Sequence, residues 1–484
     1  MEGLKDFFVS NGLSLDVSDS KGRCTKAARD FTPGQVLMQQ QPYAYVLNAG
    51  VDRCDFCCGK CPENDTLLRC ASCKHLRYCS VECQKQAWNE WHSIECPVLT
   101  AIAVNESDGE RSRKLPSSLR LLLNIICKMN DNSKVDAQPT DLVSSSELVG
   151  LLQNHYKELP PNMLTSYAQM AHLFNSFMPD HLQLSTEKTT ELLCAVSCNA
   201  HTICDEEIRP IGKGLYLGVA MVNHSCVPNA SLIFEGVTGV LRATAYIAAG
   251  EEITITYVEL GQPMLMRRAE LQEGYFFTCN CARCIAAPDA DMSMEDVMLG
   301  GLPCKSEGCG GVAPSETNNV CRSCGLELKE SVAVAKQVDS LLVNAQKKRD
   351  KLEFDDALDY CEEARDLVLE CSTSSGFRSM RVHDELMKTY IDVNRWEDAL
   401  LACRHSIHCY EAAYEMSTNP LMGLQLFMLG KLELNQGELD RAIAALEEAL
   451  EILEVTHGSE HFLVGDLRSK LAECYMAQKA GAGK

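Results

Sequence analysis

Asn223-His224-Ser225-Cys226-Val227-Pro228-Asn229, then Gly250-Glu251-Glu252-Ile253-Thr254-Ile255-Thr256-Tyr257, then Cys279-Asn280-Cys281-Ala282-Arg283-Cys284 are the three stretches on which the fold turns. Asn, Ser and Pro make the first a turn. The second is a Gly-led turn running into a short β-branched strand that ends on a tyrosine. The third has the C-x-C-x2-C spacing of a metal-binding knuckle.

Working outward, 484 residues are too many for one compact core, so several units that each bury apolar surface are expected. The 27 cysteines come without an amino-terminal apolar run of the secretory kind, so a reducing compartment is expected and clustered cysteines read as metal ligands. No apolar run approaches the ~20 residues that span a bilayer, and a soluble protein is expected. A formal net charge of -22 disfavours nucleic-acid binding, which draws on Lys and Arg. Basic partners fit that charge better, although solubility alone also accounts for it.

The first 50 residues alternate apolar and polar groups around Pro33-Gly34 and Pro42, a small β unit with turns. A cysteine-rich insert occupies 51–97, and helical patterns such as Leu119-Leu121-Leu122-Leu123-Ile125-Ile126 mark 98–190. Strand signals return over 191–260, with Gly236 and Gly239 around a hairpin. Over 331–484 the helical period dominates. There Phe354-Asp355-Asp356-Ala357, Trp396-Glu397-Asp398-Ala399 and Leu439-Asp440-Arg441-Ala442 repeat, each alanine followed seven residues later by Ala364, Ser406 or Ala449. Small residues so placed let helices approach closely, and the pattern resembles tetratricopeptide hairpins with lengthened loops. An ordinary helical bundle is the alternative.

Two further cysteine clusters stand out. Cys54-x2-Cys57, Cys70-x2-Cys73, Cys79-x3-Cys83 and His92-x3-Cys96 deliver eight ligands as four close pairs, enough for two tetrahedral zinc sites. So short a segment lacks the apolar mass for a core, and metal binding is expected to fold it. The order resembles the MYND zinc finger, whose pairs interleave. That resemblance implies Cys54, Cys57, Cys79 and Cys83 around one ion and Cys70, Cys73, His92 and Cys96 around the other. Cys58 and Cys61 are left over, and a swapped pairing involving them stays open. Such a finger either recruits peptides or braces its neighbours. Cys304-x4-Cys309 and Cys321-x2-Cys324, with glycines at the knuckles, read from spacing alone as a zinc ribbon over 300–330.

The whole order resembles the SMYD family of SET-and-MYND lysine methyltransferases over nearly the full chain. The implied fold is multi-domain α+β. A mostly β SET domain (1–50 and 191–260) is split by the MYND finger and a helical insert (98–190). A post-SET zinc segment (261–290), the ribbon and an all-α tetratricopeptide-like array follow. The implied activity is transfer of methyl groups from S-adenosylmethionine to lysines of histone or non-histone proteins, by a monomer in nucleus and cytoplasm, with peptide partners for the finger and the array.

By the same resemblance, Cys226 joins Cys279, Cys281 and Cys284 at a post-SET zinc, which with two ions in the finger and one in the ribbon makes up the metal complement. The cofactor lies against Lys21-Gly22-Arg23, Asn199, Asn223 and His224, and under Phe277. Tyr257 is the catalytic residue and also touches the cofactor, while His201 and Tyr275 wall the lysine channel.

Two residues depart from the family pattern. Cys24 stands where a second glycine is common, and His201 where relatives often carry an aromatic. Both give room to a second reading, a catalytically weak adaptor that recruits peptides in chromatin or chaperone complexes. Taken singly, Tyr257 and Phe277 read as core residues and Asn223-His224 as a turn cap. The surrounding motifs decide for the catalytic reading. A zinc hydrolase is disfavoured because each cluster is filled by four protein ligands.

Overall fold

The computed structural model describes residues 2–18, 22–48, 50–61, 66–104, 115–130, 146–285, 293–414 and 418–482. Short strand groups build its first half. Leu13–Ser18 pairs antiparallel with Gly22–Ala27, and Thr238–Ala243 lies between Ala230–Glu235 and Val36–Gln40. Pro210–Leu215 lies between Ala44–Leu47 and Ala200–Cys204. Strands from before residue 48 are therefore stitched to strands from after residue 199. The chain between is an insertion hung on this β framework. At the tip of the hairpin from Ala230–Glu235 to Thr238–Ala243, Gly236 takes φ 64°, a left-handed conformation that favours glycine.

The finger is tied down to that framework. Trp91 is buried between Tyr45 of the Ala44–Leu47 strand and Phe56 of the first knuckle, with ring centroids 5.7 and 5.6 Å away. The helix Ser117–Met129 runs through the core with Leu121 to Cys127 all buried, and its Asn124 donates to the Tyr45 carbonyl at 3.2 Å. Arg120 of this helix donates to the Leu47 carbonyl at 3.2 Å and faces Asp55 and Glu95 of the finger at 3.5 and 3.8 Å. The helix Thr186–Asn199 is capped by Ser185, whose hydroxyl accepts from the Lys188 N–H at 3.1 Å. It ends on Asn199 and leads straight into the strand Ala200–Cys204.

The second half is helical. After Met264–Tyr275, Met294–Gly300 and the two-stranded ribbon hairpin of Leu302–Pro303 and Val312–Ala313, seven helices follow from Lys329–Arg349 to Phe462–Ala482. Each packs on the next. The repeated alanines Ala357, Ala399 and Ala442, and the small residues Ala364, Ser406 and Ala449 seven positions on, fall on alternate helices and are fully buried. Close approach is shown by Gly430, on Pro420–Asn435 facing Leu439–Thr456. A methyl group at Gly430 would lie 2.6 Å from Leu446 Cγ and Cδ2.

Apolar side chains gather into two cores, one formed by residues up to Ile255 and one from Cys226 to Cys474. Tyr257 packs against both. Among the described residues, no helix is long and apolar enough to cross a membrane.

Gly430→Ala is expected to destabilise the chain by about 1–3 kcal/mol, because Leu446 is fully buried and has nowhere to retreat. Gly465→Ala, where the added methyl meets nothing within 4 Å, is expected to gain up to about 1 kcal/mol from helix propensity. Urea unfolding of the two variants, which should move in opposite directions, checks the packing.

Candidate active site and zinc centres

Four groups of Cys and His donors converge: Cys54, Cys57, Cys79 and Cys83; Cys70, Cys73, His92 and Cys96; Cys226, Cys279, Cys281 and Cys284; Cys304, Cys309, Cys321 and Cys324. Within each, all donor atoms lie within 4.8 Å of one another. The Sγ–Sγ separations include 3.6 Å for Cys57–Cys79, 3.7 Å for Cys70–Cys96, 3.6 Å for Cys226–Cys284 and 3.6 Å for Cys304–Cys324. A tetrahedron with Zn–S bonds of about 2.3 Å has edges of about 3.8 Å, so soft donors at these spacings fit zinc. Cys58 stands apart from these groups, a buried thiol pushed up to about 11 chiefly by burial. In the finger, His92 turns Nε2 toward Cys73 at 3.6 Å and gives Nδ1 to the buried carboxylate of Glu95 at 3.0 Å, which fixes the ring as a ligand.

The post-SET group is wired into the active site by His224. Asn223-His224 pairs with Thr254-Ile255 as a short parallel ladder, and the buried His224 ring accepts the Tyr257 N–H on Nδ1 at 3.0 Å. With that nitrogen an acceptor, Nε2 carries the proton and lies 3.3 Å from Cys226 Sγ, a donor to the thiolate. The fully buried Arg267 guanidinium beside Cys226 and Cys284 offsets their negative charge, and it also donates to the Gln262 carbonyl.

Two cavities meet here. One, of about 290 Å³, is lined by Arg23, Asn199, Asn223, His224, Tyr257 and Phe277. Asn199 donates its amide hydrogens to the carbonyls of Gln153 and Ala195 at 2.7 and 2.8 Å. Asn223 donates to the Arg23 carbonyl at 2.8 Å and to Glu252 at 2.9 Å. Both are left with carboxamide oxygens as acceptors, the chemistry that an amino-acid ammonium group requires.

The other cavity, of about 350 Å³, is lined by His201, Ile255, Tyr257 and Tyr275 on one side and by Asn419, Pro420, His457 and His461 of the helical array on the other. Cys198, Asn199, Ala220, Tyr257 and Tyr275 belong to both walls. At this junction the Tyr257 hydroxyl donates to the Val222 carbonyl at 2.6 Å, and the Tyr257 and Tyr275 ring centroids lie 4.7 Å apart. Burial pushes the Tyr257 hydroxyl well above its ordinary pKa, so it stays a phenol with lone pairs facing the junction.

Lys21 lies outside the described residues. Gly22, at φ 71°, opens the strand that carries Arg23 but does not itself line the cavity. Cys24 is accommodated as a buried residue of that strand. Sequence reasoning passed over Gln153 and His155 of the insert, which line the first cavity, and Thr278 and Asn280 beside Phe277. His155 and Phe276 both adopt left-handed backbones, φ 48° and 61°, and their rings stack 5.1 Å apart at the rim. Phenylalanine seldom adopts that conformation, and histidine does so too rarely to mark it in a sequence. The array residues were equally hidden, because helix-end residues such as Asn419, Pro420 and His457 signal a helix boundary but not which cavity that boundary faces.

A family profile described as SET domain matches residues 22–258. The fold and the paired cavities define a SET-domain methyltransferase. Histone-lysine N-methyltransferase ASHR1 of Arabidopsis thaliana is 34% identical over 482 residues, covering 98% of this chain and 97% of that protein. Histone-lysine N-methyltransferase SMYD3 of Homo sapiens is 29% identical over 463 residues, covering 94% and 95%. N-lysine methyltransferase SMYD2-A of Danio rerio is 27% identical over 467 residues, covering 96% and 98%. The chain belongs to the SMYD family of SET-and-MYND methyltransferases, whose members use S-adenosylmethionine and bind zinc.

Elemental analysis is expected to return about four zinc ions per chain, one for each donor group. Cys226→Ser should lose one ion and weaken S-adenosylmethionine binding about 10–100-fold in calorimetry, through His224 and Tyr257. Cys324→Ser should lose one ion and leave that affinity unchanged.

Burial pushes His201 down to about 4 and His457 down to about 3, so both rings are uncharged in the folded chain. Unfolded histidine takes its proton near pH ~6.5. With the folded values lower, their contribution to stability is complete above that pH and shrinks as pH falls from 6.5 toward the folded values. His457→Gln is expected to flatten the acid limb of a plot of unfolding midpoint against pH between about 7 and 5.

Proposed function

We infer that the protein transfers methyl groups to the side-chain nitrogen of lysines in protein substrates. One observation carries this reading: a cavity rich in acceptors and a cavity walled by aromatics meet at the partly buried phenol of Tyr257. S-adenosylmethionine supplies a sulfonium methyl that a neutral amine displaces in line. The residues mainly position the reactants and exclude water.

Asn199 and Asn223, their amide hydrogens committed elsewhere, offer oxygens to the cofactor's amino-acid end. Tyr257, with its proton directed at Val222, turns oxygen lone pairs toward the reacting methyl hydrogens in weak C–H···O contacts. The faces of Tyr257 and Tyr275 favour an alkylammonium entering the second cavity. Asp205 and Glu206 also line that cavity but are held by Arg209 and Arg53, at 2.7 and 2.8 Å. The amine therefore gives its proton to solvent.

Histones are proposed as substrates, because ASHR1 and SMYD3 are named for histone lysine. Non-histone lysines are proposed beside them, since SMYD2-A is named only for lysine. A protein with such substrates would work in nucleus and cytoplasm, and its net charge of -22 suits basic tails. The adaptor reading is not favoured, because the site is assembled with Cys24 buried and His201 in the cavity wall, without disruption.

Incubation with methyl-labelled cofactor and a mixture of histones and cell-extract proteins tests the reading. Tyr257→Phe should lower kcat about 10²–10³-fold with little change in cofactor affinity. Undiminished transfer by that variant would sink the assignment of Tyr257.

A further inference from the structure

The post-SET donor group has a charge to settle that the other three do not. Four thiolates around a divalent ion leave about two units of negative charge unbalanced. In the finger and in the ribbon, the all-cysteine groups each have an exposed member, Cys57 and Cys324, where water screens that charge. The remaining finger group has the imidazole of His92, a neutral ligand, in place of one thiolate. Cys226, Cys279 and Cys284 are all buried and Cys281 is half-buried. Charge that water cannot reach needs a counter-charge from the protein.

Arg267, on the helix Met264–Tyr275, is the fully buried cation at this place. Cys226, Asp296 and Cys284 are the charges that act on it. Its Nη1 donates to the Gln262 carbonyl, while Nε and Nη2 are buried and make no hydrogen bond within the chain. Asp296 does not take them. It stands 3.9 Å from Nη2, beyond a hydrogen bond, and its oxygens already accept from the Met264 N–H and the Ser293 hydroxyl, both at 2.7 Å. The neighbouring cations have partners of their own: Arg283 donates to Glu295 and to the Leu260 carbonyl at 2.8 and 2.9 Å, and Arg268 to the Cys284 carbonyl at 3.3 Å. A buried guanidinium with two uncommitted nitrogens thus stands beside thiolates that lack a counter-charge.

We propose that Arg267 is a positioning residue for methyl transfer: its guanidinium is the internal counter-charge that lets the post-SET thiolates keep their zinc, and through Cys226 and His224 it holds Tyr257 in place. The second half rests on the methyltransferase reading above, whereas the first stands without it. A nearby cation favours the thiolate over the thiol. With that charge removed, protons from solvent compete better for the sulfurs, and the ion leaves as the thiols form. His224 then loses the thiolate that orients its ring, and the Tyr257 N–H loses a fixed acceptor. An ordinary buried ion pair between Arg267 and Asp296 makes a different forecast, since breaking it from either end would cost the fold alike and leave the zinc where it is.

The test titrates the full-length, zinc-loaded chain with a chromogenic zinc chelator, and mass spectrometry of alkylated cysteines identifies which donor group opens. Arg267→Met, which keeps the length of the side chain and drops its charge, should hold the post-SET zinc about 10–100-fold less tightly, with the finger and ribbon ions unmoved. Calorimetry should show S-adenosylmethionine binding weakened by a similar factor. Arg267→Lys, which restores a charge, should recover most of both losses. Asp296→Asn should hold the post-SET zinc as tightly as wild type. If Arg267→Met fails to fold, the other two variants decide: retention of the post-SET ion by both supports the proposal. Unchanged post-SET affinity in a folded Arg267→Met overturns it, as does equal loosening of that ion in Asp296→Asn. The expected zinc behaviour in a chain that transfers no methyl group to histones or cell-extract proteins overturns the methyltransferase reading and leaves the metal role of Arg267 standing.

Discussion

One imidazole holds the catalytic centre together. His224 takes the Tyr257 backbone N–H on one nitrogen and donates toward the Cys226 thiolate from the other. The parallel pairing of Asn223-His224 with Thr254-Ile255 makes this possible, because side chains alternate along a strand. Both residues line the smaller cavity, and the His224 ring is also buried between zinc ligand and tyrosine. A tail more than fifty residues downstream is thereby made rigid with the strand that carries the phenol. The zinc acts at a distance from the chemistry, as an anchor with no open coordination position.

That anchor lies where two apolar cores abut. Tyr257 packs on both, so its ring is clamped by the split β framework on one side and by the post-SET and helical half on the other. Asn199 arrives by a different route, as the last residue of a helix whose next residue opens a strand. The insert contributes the Gln153 carbonyl that occupies one of its amide hydrogens. Reactive geometry thus depends on stretches far apart in the sequence, from Arg23 through Gln153, Asn199, Asn223 and Tyr257 to Phe277, converging on a volume of a few hundred cubic ångströms.

The zinc groups were the most legible part of this protein. Cysteines and histidines in close, regularly spaced pairs read as metal ligands, and the interleaved pairing of the finger emerges in the donor distances. The helical repeat was readable for a related reason, since Ala357, Ala399 and Ala442 must be small to be buried where helices touch. Tyr257, Asn223 and His224 stood out through their motif, not through their own residue types. Gln153 escaped notice because its contribution to Asn199 comes from a main-chain carbonyl, which every residue possesses. His155 was hidden by a left-handed backbone that nothing nearby in the sequence demands. Asn419, Pro420, His457 and His461 reach the cavity only because the end of the array packs back against the strand Thr238–Ala243, a contact between residues some two hundred positions apart.

The far wall of the larger cavity is therefore on loan from the helical array, a part of the molecule remote in sequence from Tyr257. Drift in those helix junctions redraws the mouth through which a protein chain enters while the phenol, the asparagines and the metal anchor stay as they are. In such an architecture the choice of target and the making of the carbon–nitrogen bond evolve under separate selection, each without disturbing the other.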